Sequence, residues 1–238
     1  MLTSVYIPQV QALLQNPAAP TPLYSTSQIT TAINLARLQI AGEGQCIHGT
    51  ATSTNSGSGG QVWPFSAFTI SLPSSGCAGI FNVRQLSFFS GTQTLQYVNF
   101  QPYEYFFRYY VMVNLTATSA TPTYWSQQGQ GVNGTVLIYP PATSGVELLA
   151  DATLEPIALA SDSDPEAIPY PWQDCVQYLA AWYCLLQSQS GARQADADRM
   201  FARYTEFSMR ARNTSTAQVL PGMFSASGRI PPAAAAGG

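Results

Sequence analysis

Three stretches of the chain repeat apolar residues at helical spacing. Residues 165–212 read as two helices folded back on each other. Trp172, Val176, Leu179, Tyr183 and Leu186 step by 4, 3, 4 and 3, which keeps one apolar stripe on a helix. Gly191 breaks that pattern, and Met200, Tyr204, Phe207 and Ala211 form a second stripe. Pro169 and Pro171 suit a helix start, where a missing N–H costs nothing. A third stripe, Ile29, Ile33, Ala36 and Ile40, follows a capping Ser25 or Ser27 and ends at Gly42 and Gly44. A shorter helix fits residues 4–15, with Pro8 near its start. None of these stripes can be hidden by its own helix, so they are expected to pack together.

The middle of the chain has another texture. Apolar runs rich in Val, Ile, Phe, Thr and Tyr span 62–72, 80–89, 94–100, 123–125, 134–139 and 146–154. Gly76, Gly91, Gly145 and the Pro140–Pro141 pair punctuate them, as expected of strands and turns. Residues 103–112 fit helical and alternating spacing almost equally, and Pro102 favours a short helix. Residues 49–60, Ser-, Thr- and Gly-rich, read as a mobile loop.

The pattern predicts an α+β fold, an antiparallel helical bundle from both chain ends with an inserted, mostly antiparallel β domain. The expected divisions are bundle helices over 1–48, the β-rich insert over 49–160, a helical hairpin over 161–212 and an extended C-terminal arm over 213–238. The arm holds Val219, Leu220, Pro221, Met223, Phe224, Arg229 and Ile230 and no acid. A purely solvated tail has little use for such apolar residues, so an arm that orders on a partner is favoured.

Composition adds a reason to expect assembly. Only 9% of the 238 residues are charged and lysine is absent. A weakly charged surface favours association over solubility. Formal charge runs from +1 over residues 1–108 through −7 over 109–192 to +3 over 193–238. Acidic and basic faces are thus available to meet, within one chain or between copies. No basic leader with a long apolar core opens the chain, and no run is long enough to span a membrane.

Candidate chemistry is sparse. His48 is the only histidine, and Cys46-x-His48 supplies too few ligands for a zinc site. Without lysine there is neither a phosphate-loop lysine nor Schiff-base chemistry. Cys46, Cys77, Cys175 and Cys184 form no C-x-x-C pair and read as reduced thiols. Asp162, Asp164 and Glu166 offer a two-carboxylate hydrolase at most, although Asp164 before Pro165 reads better as a helix cap. Arg199, Arg203, Arg210 and Arg212 crowd the last helix, interleaved with Asp196, Asp198 and Glu206. That interleaving argues against nucleic acid and for surface pairing or a protein interface. No cofactor, metal or specific nucleic acid is expected.

Three segments carry a family resemblance. Residues 29–44 (ITTAINLARLQIAGEG) hold an I-N-x-A-R core at Ile33, Asn34, Ala36 and Arg37; residues 122–141 join P-T-Y-W to V-L-I-Y-P-P through a Gly-containing turn; residues 161–212 lead from an S-D-S-D-P-E-A-I-P turn into an aromatic helix. In this order they resemble the head-to-tail connector, or adaptor, proteins of short-tailed bacteriophages. Residues 49–90 lie outside the resemblance. It implies a structural virion protein rather than an enzyme, made in the host cytoplasm and placed at the head–tail neck. It implies a ring of about twelve copies between the portal protein and a tail or nozzle protein, with the C-terminal arm on the portal. Arg199, Arg203, Arg210, Arg212 and the arm residues named above are then the interface. A rival reading is a glycan-binding module, or a virion decoration or fibre protein, in which Trp63, Trp125 and the tyrosines stack on sugars.

Overall fold

The computed structural model describes residues 2–16, 22–54, 60–73, 75–89, 95–111, 120–187 and 193–215. A wide helical turn, Leu2–Tyr6, runs into α1 (Ile7–Leu13), with proline in its first turn. Helix α2 (Thr26–Gly44) starts at Ser25, whose hydroxyl accepts the Gln28 N–H while the Gln28 side chain accepts the Ser25 N–H. It ends on Gln45 in the left-handed region, one residue beyond the expected glycines. Helix α3 (Tyr103–Phe106) is the short helix expected after Pro102. Helices α4 (Gln173–Gln187) and α5 (Gln194–Ser215) form the hairpin. They run antiparallel, since Tyr178 stacks on Phe207 and Trp182 on Phe201. Pro169 and Pro171 lie upstream of α4 rather than in its first turn.

The strands are β1 (His48–Thr54), β2 (Gly60–Pro64), β3 (Thr69–Leu72), β4 (Cys77–Phe89), β5 (Leu95–Phe100), β6 (Tyr124–Gln128), β7 (Thr135–Ala142) and β8 (Glu147–Pro156). They build one curled sheet in the order β2-β7-β6-β5-β4-β8-β1-β3. Neighbours are antiparallel except β5 and β6, which pair in parallel through Asn99 and Phe100. The late strand β8 lies between β4 and β1, so the start and end of the β segment are locked together.

This architecture corrects the expected helical bundle with an inserted β domain. The chain is a half-barrel of eight strands with five α-helices among the described residues. A bundle with a separate inserted domain needs two cores. Here one contiguous buried cluster joins Ile33 and Ile40 of α2, Leu179 of α4, Val136 of β7 and Leu148 and Leu154 of β8. The sheet therefore contributes to the main core, and α2 packs against β8. Residues 49–54 also correct the sequence reading. They are strand β1, paired with β8 on one side and β3 on the other, because β-branched threonines fit a pleated surface even in a Ser/Thr-rich stretch. Gly60, the last residue of the expected loop, begins β2, while residues 55–59 of that loop and residues 216–238, nearly all of the arm, lie outside the described residues.

Candidate assembly site

Two of the segments singled out in the sequence meet in space. Arg37 on α2 is 1% exposed, and its guanidinium reaches Glu166 in the connection from β8 to α4. Arg37 Nη2 donates to Glu166 Oε1 at 2.8 Å, and Nε lies 3.1 Å from Oε2. Nη1 donates to the Ile157 carbonyl at 2.6 Å, and Glu166 Oε1 also accepts the Ile168 N–H at 2.9 Å. One turn earlier, Asn34 accepts the Leu159 N–H at 2.9 Å and returns its own amide to the Leu159 carbonyl at 3.1 Å. Buried charge is tolerated only when paired and hydrogen-bonded, and here it is. The clamp fixes α2 to the connection that leads into the hairpin. Tyr6 lies beside it. Burial, then the Glu166 charge, pushes its hydroxyl pKa far up, so it stays neutral.

The three acids of that connection have separate structural tasks rather than a shared catalytic one. Asp162 Oδ1 accepts the Ser4 N–H. Asp164 caps a turn, not helix α4, its Oδ2 accepting the N–H groups of Ala160 at 2.6 Å and Ser161 at 2.7 Å. Those two donors hold its carboxyl below the usual carboxylate range. A depressed folded-state pKa gives stability that is present above the unfolded value of about 3.9 and is lost as pH falls through the folded value. The stability gap between wild type and Asp164→Asn is therefore expected to close below about pH 4, measured by urea unfolding at stepped pH. A gap that does not change with pH overturns this role.

The hairpin turns most of its predicted stripes inward, but Leu186, the last residue of the α4 stripe, is 44% exposed. Ala197, Tyr204 and Ala211 of α5 are buried, and the Tyr204 hydroxyl donates to Glu43 of α2 at 2.6 Å. On α4 the buried set is wider than the predicted stripe, since Cys175, Ala180, Ala181, Cys184 and Leu185 join it. Burial pushes the Cys175 thiol up to about 12 and the Cys184 thiol up to about 11, so both are inert core residues. The opposite side of α5 is open. Met209 is 61% exposed and Arg199, Arg203, Arg210 and Arg212 are exposed, while Phe201, 42% exposed, sits at the edge of the α4 contact against Trp182.

The four predicted arginines divide on this face. Arg203 and Arg210 both donate to Glu206 of their own helix, as i, i+3 and i, i+4 pairs. Arg210 also lies over the Phe207 ring at 5.5 Å. Exposed pairs of this kind are worth little and exchange readily with a partner's carboxylate. Arg199 has no ion-pair partner among the described residues, and Arg212 is exposed at the end of the helix. Val219, Leu220, Pro221, Met223, Phe224, Arg229 and Ile230 lie outside the described residues. The sequence reading missed a second apolar strip on α2, where Leu35 and Leu38 are 43% and 45% exposed. Their i, i+3 spacing was the available signal.

The same geometry removes the two tryptophans from the glycan-binding reading. Trp63 and Trp125 are buried, so neither offers a flat face to a sugar. The exposed aromatics include Tyr97 and Phe100 of β5, Tyr105, Phe107 and Tyr109 on and just after α3, and Tyr170. His48 meets Arg84 through Nδ1 at 2.9 Å, away from any ligand set. Among the described residues no three His, Cys, Asp or Glu are placed to hold a metal, and no helix is long and apolar enough to cross a membrane.

A chain that assigns its internal acids to turns and a buried clamp, while exposing apolar and arginine side chains on its outer helices, has the features of an assembly protein. The sequence places it more closely: it belongs to the SU10 adaptor protein family, whose model matches residues 5–227. It is thus a phage structural adaptor and a virion component. The match includes residues 49–90, which the resemblance read from motifs did not reach. No curated protein matches the chain.

Proposed function

We propose that the chain is a head-to-tail connector, forming a ring between the portal and the tail at the neck of a short-tailed phage. The ring holds about twelve copies. Its subunits meet side by side through their helices, the C-terminal arm engages the portal, and the curled sheet faces the tail or nozzle protein. The observation that carries this reading is helix α5, which exposes Met209 and four arginines and leaves Phe201 half-exposed at the edge of its contact with α4. Apolar side chains give the contact its burial. The arginines select a partner surface rich in carboxylates, and residues 109–192 of a neighbouring copy carry seven acids and no basic residue.

The test is to count the chain against the major capsid protein in purified particles by quantitative mass spectrometry. Roughly a dozen copies per particle supports the ring; hundreds point to decoration. Reversing two charges, Arg199→Glu with Arg210→Glu, should leave the isolated fold intact and lower incorporation by about tenfold or more. Wild-type incorporation of that variant overturns the assignment of this face.

A further inference from the structure

The sheet parts at one place. Strand β5 pairs with β4 only from Leu86 to Phe89, so the first half of β4 has β8 on one side and, among the described residues, no strand on the other. The turn at Gly131–Asn133 stands there instead. A pocket of about 570 Å³ opens between that turn, the 65–70 segment and the start of β4. That size falls within the roughly 300–1,000 Å³ of small-molecule sites. Phe65, Phe68, Ile70, Ile80 and Val132 give it apolar walls. A Cβ added at Gly79 would meet nothing within 4 Å, so the space stands open over the strand. Glu155, near the end of β8 and opposite Gly79, is the only ionisable side chain among the described lining residues. Its Oε1 lies 2.7 Å from where a Cβ on Gly131 would stand. Gly131 also has a φ of 58°, so that position favours glycine twice over. Among the described residues Glu155 has neither hydrogen bond nor ion pair. Burial alone raises its pKa, as expected of a carboxylate without a compensating charge.

Charge and lining select the class of ligand. An anion is repelled, and a neutral apolar molecule would cover the carboxylate without pairing it. A bare metal ion wants several oxygen ligands, and the lining offers a single carboxylate. What fits is an organic monocation, with one positive group for Glu155 and a short aliphatic stem for the walls. We propose that this pocket binds a guanidinium or primary ammonium group carried on such a stem. The hydroxyls of Ser66 and Thr69, in the same lining, can accept the N–H groups that the carboxylate leaves over. The ligand is a free amine or a lysine or arginine side chain of another chain in the virion, because the same chemistry recognises both. The inference stands apart from the ring and holds whether or not copies of the chain touch one another.

The test titrates butylguanidinium into the full-length chain and follows the isoleucine and valine methyls by NMR, with butylurea as the neutral counterpart of the same shape. Saturable shifts are expected at Ile70, Ile80 and Val132, with a dissociation constant of about 1–10 mM. Butylurea should bind about tenfold more weakly, and Glu155→Gln should weaken butylguanidinium by a similar factor. That variant keeps the shape and removes an uncompensated charge, so its urea midpoint should be no lower than wild type, which separates lost binding from a lost fold. Bound butylguanidinium should also move the Glu155 titration to lower pH, because a cation favours the charged carboxylate. In purified particles, photo-crosslinking benzoylphenylalanine in place of the exposed Val132 identifies the source. A crosslink to a lysine- or arginine-containing peptide of another chain assigns the cation to a side chain. An amine extracted from DNA-emptied particles of wild type, but not of Glu155→Gln, assigns it to a free molecule. Methyls that do not shift, butylurea or Glu155→Gln binding as well as the charged pair, or particles that give neither crosslink nor amine each overturn the proposal.

Discussion

Arg37→Ala is expected to destabilise the isolated chain by about 3–5 kcal/mol, and Glu166→Ala by a similar amount. Each leaves the other charge buried, and the orphan cannot reach water without opening the junction between α2 and the 157–168 connection. Arg37 has more to lose than one ion pair, because its Nη1 also satisfies the Ile157 carbonyl at 2.6 Å. A domain of this kind is stable by only about 5–15 kcal/mol, so either single variant should unfold at a markedly lower urea concentration. The apolar double variant Arg37→Met with Glu166→Leu should recover much of the loss, since a matched pair of hydrophobes leaves no charge stranded. Urea unfolding followed by tryptophan fluorescence reads all three, and the double-mutant cycle gives the coupling directly. Single variants that each cost under about 1 kcal/mol would show the pair to be solvated and the clamp unimportant. The double variant also tests assembly. If the clamp only holds the fold, particles containing it should carry the normal number of copies.

That clamp marks the boundary of what the sequence revealed. Arg37 and Glu166 each lay in a segment singled out beforehand, but in separate ones, and 129 positions of chain divide them. Helical spacing is local information; the pairing is set only when β8 returns beside β1 and aims the connection at α2. The same locality explains what was legible. The Ser25 cap, the three stripes and the short helix after Pro102 depend on neighbours a few residues away. Six of the apolar runs are strands for the same reason, with the 62–72 run broken at Phe65–Ala67 by a tight helical turn. What failed was the count of cores. A run such as 146–154 looks alike whether its sheet packs on itself or on helices, and only the contiguous cluster of Leu148, Leu154, Ile33 and Leu179 decides it. Strand β1 failed for a related reason, since its residues look like loop until β8 and β3 flank them. The α5 arginines were legible as an exposed set, while their sharing of Glu206 followed from helix geometry once the helix was in place. The Glu155 pocket carried no sequence signal, because its walls come from four separate segments.

Trp125→Ala should be the other severe loss, about 3–5 kcal/mol. Trp125 is 2% exposed, on β6. Its backbone pairs with Ile138 of β7 on one side and Phe100 of β5 on the other, at the one parallel junction among the described strands. Its ring meets Phe100 edge-on at 5.0 Å, and its carbonyl accepts the Gln101 N–H at 2.8 Å. Parallel pairing here covers only two residue pairs, so the side chain has to supply what a short ladder does not. Truncation leaves a cavity at the seam between the β2-β7-β6 half of the sheet and the β5-β4-β8-β1-β3 half. Both halves should loosen together, with one cooperative transition at lower denaturant rather than two. Trp125→Phe, which keeps an aromatic edge for Phe100, should cost clearly less. The pair of variants also weighs the glycan reading on stability rather than on binding alone. A sugar platform is exposed, so its removal abolishes retention on a polysaccharide column while the unfolding midpoint stays put. A seam residue does the reverse, shifting the midpoint of any surviving fold. An unchanged midpoint for Trp125→Ala, within about 0.5 kcal/mol of wild type, would place this tryptophan at a surface and reopen the sugar-binding alternative.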